Sequence, residues 1–203
     1  MMRKGHNENH PRKGASIKVQ PIRNLESIEQ IKARLQSQPR NLCLFTLGIN
    51  TAYRANELLS LTIGQVSHLK AGDILDIKQS KNSQYRLTIL NTTTETSIQN
   101  WLAYHPKRHH SNASLFLSQR RNRALSVAAV NRLVKRWCRD AGLPGNFSSH
   151  TLRKTWGYHQ RVYNHASVAI LMRAFGHASE AQTLDYLCIL PDEIRSLYLT
   201  LEL

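Results

Sequence analysis

The sequence predicts a mainly α-helical protein with one small antiparallel β-sheet, an α+β fold. Three observations carry this. From residue 25 onward most of the chain repeats apolar side chains at helical spacing between recognisable caps. After Gly72 the period changes to strict alternation in two short runs, before helical spacing returns. The chain has 203 residues, 41% of them hydrophobic, enough for one sizeable core or one domain plus an arm. The division expected is a flexible basic arm over residues 1–22 and a single folded unit over residues 23–203.

The arm is read from composition: the first twenty or so residues carry five Lys/Arg, few apolar groups and no periodicity. The run LESIEQIKARLQSQ then places Leu25, Ile28, Ile31 and Leu35 on one helical face, with Pro39 marking its end. RNLCLFTLGIN is apolar almost throughout and suits a buried helix. A turn over residues 50–53 leads into a short helix through Glu57 to Leu61. Arg54 stands at that junction, poorly placed for solvent, and either pairs with Glu57 on the same helix face or meets a bound anion.

DILDIKQ and QYRLTIL alternate, with Leu75 and Ile77 in one run and Tyr85, Leu87 and Ile89 in the other. Joined by SKNS, they predict a hairpin with Lys81 near its tip, where a lysine is either simply solvated or functional. NTTTETSIQNWLAYH is a helix stopped by Pro106, and SLFLSQRRNRALS is a short strand or extended turn with a basic tip. SVAAVNRLVKRWCRDAGL, begun by Ser126 and ended at Gly142, sets Val127, Val130, Leu133, Val134, Trp137 and Cys138 on one face and Arg132, Lys135, Arg136 and Arg139 on the rest. Ser148 or Ser149 caps a helix from Thr151 to about Asn164. SVAILMRAF ends at Gly176, and Ser179 with Gln182 has the spacing of a capping box starting a short helix that holds Thr183 and Tyr186. The last segment, PDEIRSLYLTLEL, begins with proline at a first helical position and presents Ile194, Leu197, Tyr198 and Leu201 as a docking face.

Charge narrows the function classes. Net charge is +15 with a pI near 10.2, which points to a polyanionic partner, nucleic acid first. Residues 1–40 hold 9 Lys/Arg against 3 acids and residues 105–140 hold 9 against 1, whereas residues 41–104 (5 against 4) and 141–203 (5 against 5) are balanced. Charge alone leaves sequence-independent binding open, because phosphate contacts carry no sequence information. No run approaches the roughly 20 apolar residues of a membrane span, and the opening residues are polar, so no membrane segment or secretory signal is expected and the expected location is cytoplasmic, on the nucleoid. Cys43, Cys138 and Cys188 are odd in number and far apart, which reads as reduced, buried thiols. His105, His109 and His110 lack carboxylate or cysteine partners and are split by Pro106, which argues against zinc.

The stretch over residues 149–186 suggests phosphate chemistry by itself. His150 and Arg153 lie in helical register at a helix start, where backbone N–H groups also favour an anion. A Gly176–His177 turn follows, and Tyr186 lies nine residues beyond that histidine. Taken with TAYRANELLSLT and QSKNSQYRLTIL upstream, the ordered set HTLRKTW and FGHASEAQTLDY resembles the catalytic domain of the tyrosine recombinases, the phage-integrase family, over roughly residues 25–200. The resemblance implies the fold of that catalytic domain and carries its residues over to Arg54, Lys81, His150, Arg153, His177 and the nucleophile Tyr186. Lys78 lies three residues from Lys81, and the QSK sequence and the distance from Arg86 favour Lys81. Only the basic arm precedes the catalytic region, in the manner of short members without the N-terminal core-binding domain, although a truncated form fits the sequence equally.

The chemistry follows from the residue types. A phenol of pKa about 10 attacks a phosphodiester at neutral pH only with positive charge and a proton acceptor beside it. Two arginines grip the non-bridging oxygens, the histidines bond them or relay the proton, and a lysine protonates the leaving 5′ oxygen. The 3′-phosphotyrosyl product conserves bond energy, so neither ATP nor metal is required and no cofactor or small-molecule ligand is expected. The expected partner is double-stranded DNA, gripped also by Arg120, Arg121, Arg123, Arg132, Lys135, Arg136 and Arg139, with self-association into a tetramer on DNA implied by the resemblance. The expected function is site-specific recombination for integration, excision or inversion. The alternatives are type IB topoisomerase-like relaxation and a non-catalytic DNA-binding protein on the same scaffold.

Overall fold

The structure, a computed structural model, describes residues 18–75, 77–78, 85–86, 88–118, 123–189 and 191–200. Most of the arm, Lys81, Arg120 and Arg121 lie outside the described residues. The described elements are mainly helical.

Helix α1 (Leu25–Leu35) is started by Asn24, whose side chain accepts from Glu26 N at 2.7 Å, and buries Ile28, Ile31 and Leu35. Leu25, expected on the same face, is exposed: it sits in the first turn, before the stripe reaches the core. Pro39 does more than mark an end, since it is the first residue of α2 (Pro39–Asn50), where its missing N–H costs no helical bond. Helix α2, buried through Cys43–Leu47, is central and packs chiefly against α5 (Thr92–Tyr104) and α7 (Ser149–Val162). Between them lie α3 (Ala55–Ser60) and the one-turn α4 (Ile63–Val66), which the sequence did not announce; Gln65 reaches back to Thr62 N at 2.9 Å to close its cap.

The alternating stretch pairs antiparallel at Ile74–Ile89, and again at β1 (Ile77–Lys78) with β2 (Tyr85–Arg86). The register separates the two apolar sets. Leu75 and Thr88 are buried and joined by a 2.8 Å backbone bond, whereas Ile74 and Ile89 are 52% and 51% exposed. Ile89 is therefore not a core position as its alternation suggested, because its partner is Ile74 and not Leu75; Leu90 fills the core instead.

Helix α6 (Val127–Asp140), capped by Ser126, buries Val130, Val134, Trp137 and Cys138 and leaves Arg132, Lys135, Arg136 and Arg139 exposed. Val127, in its first turn, stays in solvent. Burial pushes the Cys138 thiol up to about 12 and raises that of Cys43. Cys188 departs from the expectation for all three cysteines: it is only half-buried. Residues 18–22, grouped with the arm by composition, lie against the helices: Gln20 N donates to Asn146 O at 2.9 Å, Ile22 N to Thr155 Oγ1 at 2.9 Å, and Ile22 is buried.

Beside the main core a second, smaller cluster forms where α8 (Val168–Phe175) and α9 (Glu180–Leu187) meet α7, around Ala52, Leu171, Phe175 and Leu187. Helix α10 (Pro191–Thr200) follows. Of the expected docking face, Ile194 and Tyr198 are exposed; the Leu197 side chain and Leu201 lie outside the described residues. Among the described residues no helix is long and apolar enough to cross a membrane.

Gly157 sets the approach of α7 to α8. A Cβ there would overlap Phe175 Cζ and stand 2.8 Å from Cε2, and the ring has no slack because it also packs on Trp156 and His177. Gly157→Ala is expected to lose about 1–3 kcal/mol of stability by overpacking, read as a lower urea midpoint.

Candidate functional site

The site forms at the N-terminal end of α7. That helix begins at Ser149, two residues earlier than expected, because Ser148 is the cap: its Oγ accepts from His150 N at 3.2 Å. Asn131 of α6 adds a second acceptor, Oδ1 to Ser149 N at 2.7 Å. His150 is thereby placed in the first turn, with Arg153 and Lys154 one turn further on.

Arg153 is 1% exposed. Its guanidinium donates to the carbonyls of Ala52 and Phe175 and lies 4.8 Å from the Phe175 ring centroid and 5.8 Å from that of Tyr186. Arg54, at the N-cap of α3, makes the pair with Glu57 and also faces the site. Its Nη1 meets Glu57 Oε1 at 3.0 Å, and Glu57 Oε2 accepts from Arg54 N at 2.6 Å, while its charge acts on both His150 and Tyr186. The pair and the site are one arrangement.

Gly176 ends α8 in the left-handed conformation, φ +61°, which turns the chain so that His177 N returns to Met172 O. His177 then stacks on Phe175 at 4.8 Å, and its Nδ1 lies 3.0 Å from Thr183 Oγ1 of α9. Ser179 caps α9 through Gln182 N at 3.3 Å, but Gln182 reaches Ala178 N, one residue further back than a capping box requires. On α9 the half-buried Tyr186 packs 5.1 Å from His177 and 5.2 Å from Phe175, with Oη 3.1 Å from His150 Nδ1.

The electrostatics follow from this enclosure. Burial raises the Tyr186 pKa, opposed by the charges of Arg153 and Arg54 and by a bond from Arg153. His150 keeps an edge in solvent, yet the burial of its ring, then Arg153, Lys154 and Arg54, hold its pKa below the ordinary imidazole value. A neutral imidazole facing a phenol can accept its proton, and the neighbouring cations oppose the effect of burial on that phenol.

Of the sequence-derived set, His150, Arg153, His177 and Tyr186 come together with Arg54. Lys81 lies outside the described residues. Arg132, Lys135, Arg136 and Arg139 form one exposed stripe on α6, at spacings of three and four residues; Arg139 also pairs with Asp140 at 3.4 Å, and Arg123 is exposed beyond that helix. The three histidines of the 105–110 region form no metal site among the described residues; His105 is buried, with Nε2 3.2 Å from Ser114 O and Nδ1 accepting from Lys107 N. Sequence reading missed Asn131, Phe175, Thr183 and Lys154. Only Lys154 had a signal, its place in the HTLRK run.

A helical unit that buries an arginine beside a histidine-bonded tyrosine brings together the groups that phosphoryl transfer to a tyrosine would need. The model of the phage integrase family matches residues 23–191, and the chain belongs to that family, the tyrosine recombinases. It is 33% identical over 183 residues to the probable integrase/recombinase YoeC of Bacillus subtilis (strain 168), covering 89% of this chain and 95% of that one. To tyrosine recombinase XerC of Caldanaerobacter subterraneus subsp. tengcongensis it is 27% identical over 203 residues, 91% of this chain but 56% of the relative, so it spans about half of the longer relatives. In fold it is similar to XerA recombinase (TM-score 0.74, 20% identity, 93% of this chain and 66% of that one) and to XerH site-specific recombinase bound to palindromic difH substrate (TM-score 0.73, 24% identity, 91% and 53%).

Burial also holds the His105 and His159 pKa values below the ordinary one, as for His150. The unfolded chain, titrating near 6.5, therefore binds more protons than the folded one as pH falls, and stability drops. The urea midpoint is expected to be lower at about pH 5.5 than at about pH 7.5.

Proposed function

We propose that this chain is a site-specific DNA recombinase that cuts and rejoins duplex DNA through a 3′-phosphotyrosyl intermediate. The observation that carries the reading is the Tyr186 hydroxyl held 3.1 Å from His150 Nδ1 beside the buried Arg153. With its proton on Nε2, His150 takes the phenol proton as Tyr186 Oη attacks phosphorus. Arg153, Arg54 and His177 hold the non-bridging oxygens, and their grip tightens as charge builds on the five-coordinate phosphorane. Lys81 protonates the departing 5′ oxygen. The phosphotyrosine keeps the bond energy, so a second 5′ hydroxyl reverses the step without nucleotide or metal.

The remaining parts follow the same reading. Residues 23–203 are the catalytic unit, against which residues 18–22 pack, and the basic stretch before them adds grip on phosphate. The α6 stripe, with Arg120, Arg121 and Arg123, binds the DNA backbone. Self-association into a tetramer on DNA is supported by the exposed Ile194, Tyr198 and Leu199 of α10. Action on DNA places the protein in the cytoplasm at the nucleoid. A swivelling topoisomerase would use the same tyrosine, but the relatives are recombinases; relaxation of supercoiled plasmid without exchange between matched sites would favour it.

On a nicked duplex carrying a site that the protein binds specifically, wild-type protein is expected to form a covalent adduct, seen as a shifted band after denaturation. Tyr186→Phe abolishes the adduct and retains binding; absence of an adduct with wild type on a bound site would overturn the assignment. Lys81→Ala is expected to slow adduct formation about 10²- to 10⁴-fold on ordinary DNA. It should do so far less on DNA with a bridging 5′ sulfur, which leaves without a proton.

A further inference from the structure

One cation of the HTLRK run has no task in this scheme. Lys154 lies one turn after His150, so the two share a face of α7. It is 7% exposed, a costly place for an ammonium unless its charge is used. Its Nζ stands 4.8 Å from the centroid of the Tyr186 ring and donates to Cys188 Sγ at 3.1 Å. Cys188 caps α9 in the left-handed conformation, φ +53°, and its carbonyl accepts from Arg23 at 2.8 Å. The end of the tyrosine helix and the anchor of the lysine are thus one residue.

We propose that Lys154 is a positioning residue of the site: anchored by Cys188, its ammonium seats the Tyr186 ring and supplies positive charge that keeps His150 an open proton acceptor. An ammonium over an aromatic face is attracted to the ring, which fixes the ring from the α9 side while His150 meets the hydroxyl from the α7 side. The groups facing the His150–Tyr186 pair are Arg153 and Lys154 from α7, Arg54 with Glu57 from the start of α3, His177 from the α8–α9 turn, and Asp185 and Cys188 from α9. Glu57 is paired with Arg54, and Asp185 is paired with Lys18 while also feeling the charge of Lys154. Lys154 adds positive charge beside the pair, offset in part by Asp185. Its charge is among those that, after burial and Arg153, depress the His150 pKa. The catalytic consequence rests on the recombinase reading; the electrostatic one does not.

The full-length chain is titrated by NMR, with the His150 ring signals assigned through His150→Gln. His150 is expected to titrate below an ordinary imidazole in wild type, to shift upward in Lys154→Met, and to stay near the wild-type value in Lys154→Arg. An unchanged titration in Lys154→Met overturns the proposal. If the methionine variant does not fold, Lys154→Gln takes its place, and an unchanged titration there overturns the proposal equally. Adduct formation on the nicked duplex supplies the second readout. Lys154→Met should be slower by about tenfold near pH 6, with the deficit closing toward about pH 8 as His150 loses its proton in either protein. A deficit of equal size at every pH would mark a merely structural lysine and overturn the role. Failure of wild type to form the adduct would sink the recombinase reading, while the titration would still decide whether Lys154 governs His150.

Discussion

The arrangement depends on one buried cation. Arg153 takes a guanidinium almost wholly out of water, and such a charge is tolerated only when its N–H groups are met. They are met by carbonyls from two distant places, Ala52 at the end of α2 and Phe175 at the end of α8. Ala52 adopts φ +56°, a conformation that alanine rarely takes and that costs on the order of 1–3 kcal/mol. The arginine therefore ties α7, the α2–α3 turn and the α8–α9 corner to one point. Arg54 follows Ala52 by two residues and His177 follows Phe175 by two, so the bonds that satisfy Arg153 also deliver its neighbours in the site.

Around this point the second small cluster serves as a mount for Tyr186. Phe175 lies under the Arg153 guanidinium, stacks with His177 and meets the edge of Tyr186. Gly157 leaves room for that ring, and Gly176 turns the chain directly after it. Tyr186 is held by its hydroxyl from His150, by its ring from Phe175 and Lys154, and by its helix end through Cys188. Residues 18–23 reach the same end through Lys18 with Asp185 and Arg23 with Cys188 O. A basic segment entering the fold is thus in direct contact with the helix that carries Tyr186.

Much of this was legible in the chain. Helices α1 and α6 were marked by apolar spacing, α2 by a near-continuous apolar run, and the ends of α6, α8 and α9 by Ser126, Gly176 and Ser179, because caps and periodicity are local properties. The site residues were legible through an ordered motif set and not through any single position: Arg54 taken alone reads as a partner of Glu57, which it also is. The hairpin faces were not legible, because alternation within each run leaves the register between runs open, and that register exposes Ile89 and buries Leu90. Nor were Leu25 and Val127, whose first-turn positions fall outside the buried stripe.

By itself the sequence determined which residues are candidates for the chemistry, Arg54, Lys81, His150, Arg153, His177 and Tyr186 in fixed order, on a strongly basic chain whose helices start and stop at local signals. Only the tertiary structure decided how those groups act on one another. Burial and neighbouring cations lower the His150 pKa, and burial raises that of Tyr186. Arg153 is fixed by one carbonyl 101 residues before it and another 22 residues after it. Lys154 gains its place only when α9 folds back and sets Tyr186 and Cys188 beside it. Desolvation and Coulomb interaction depend on distances in space, and spacing along the chain does not encode them.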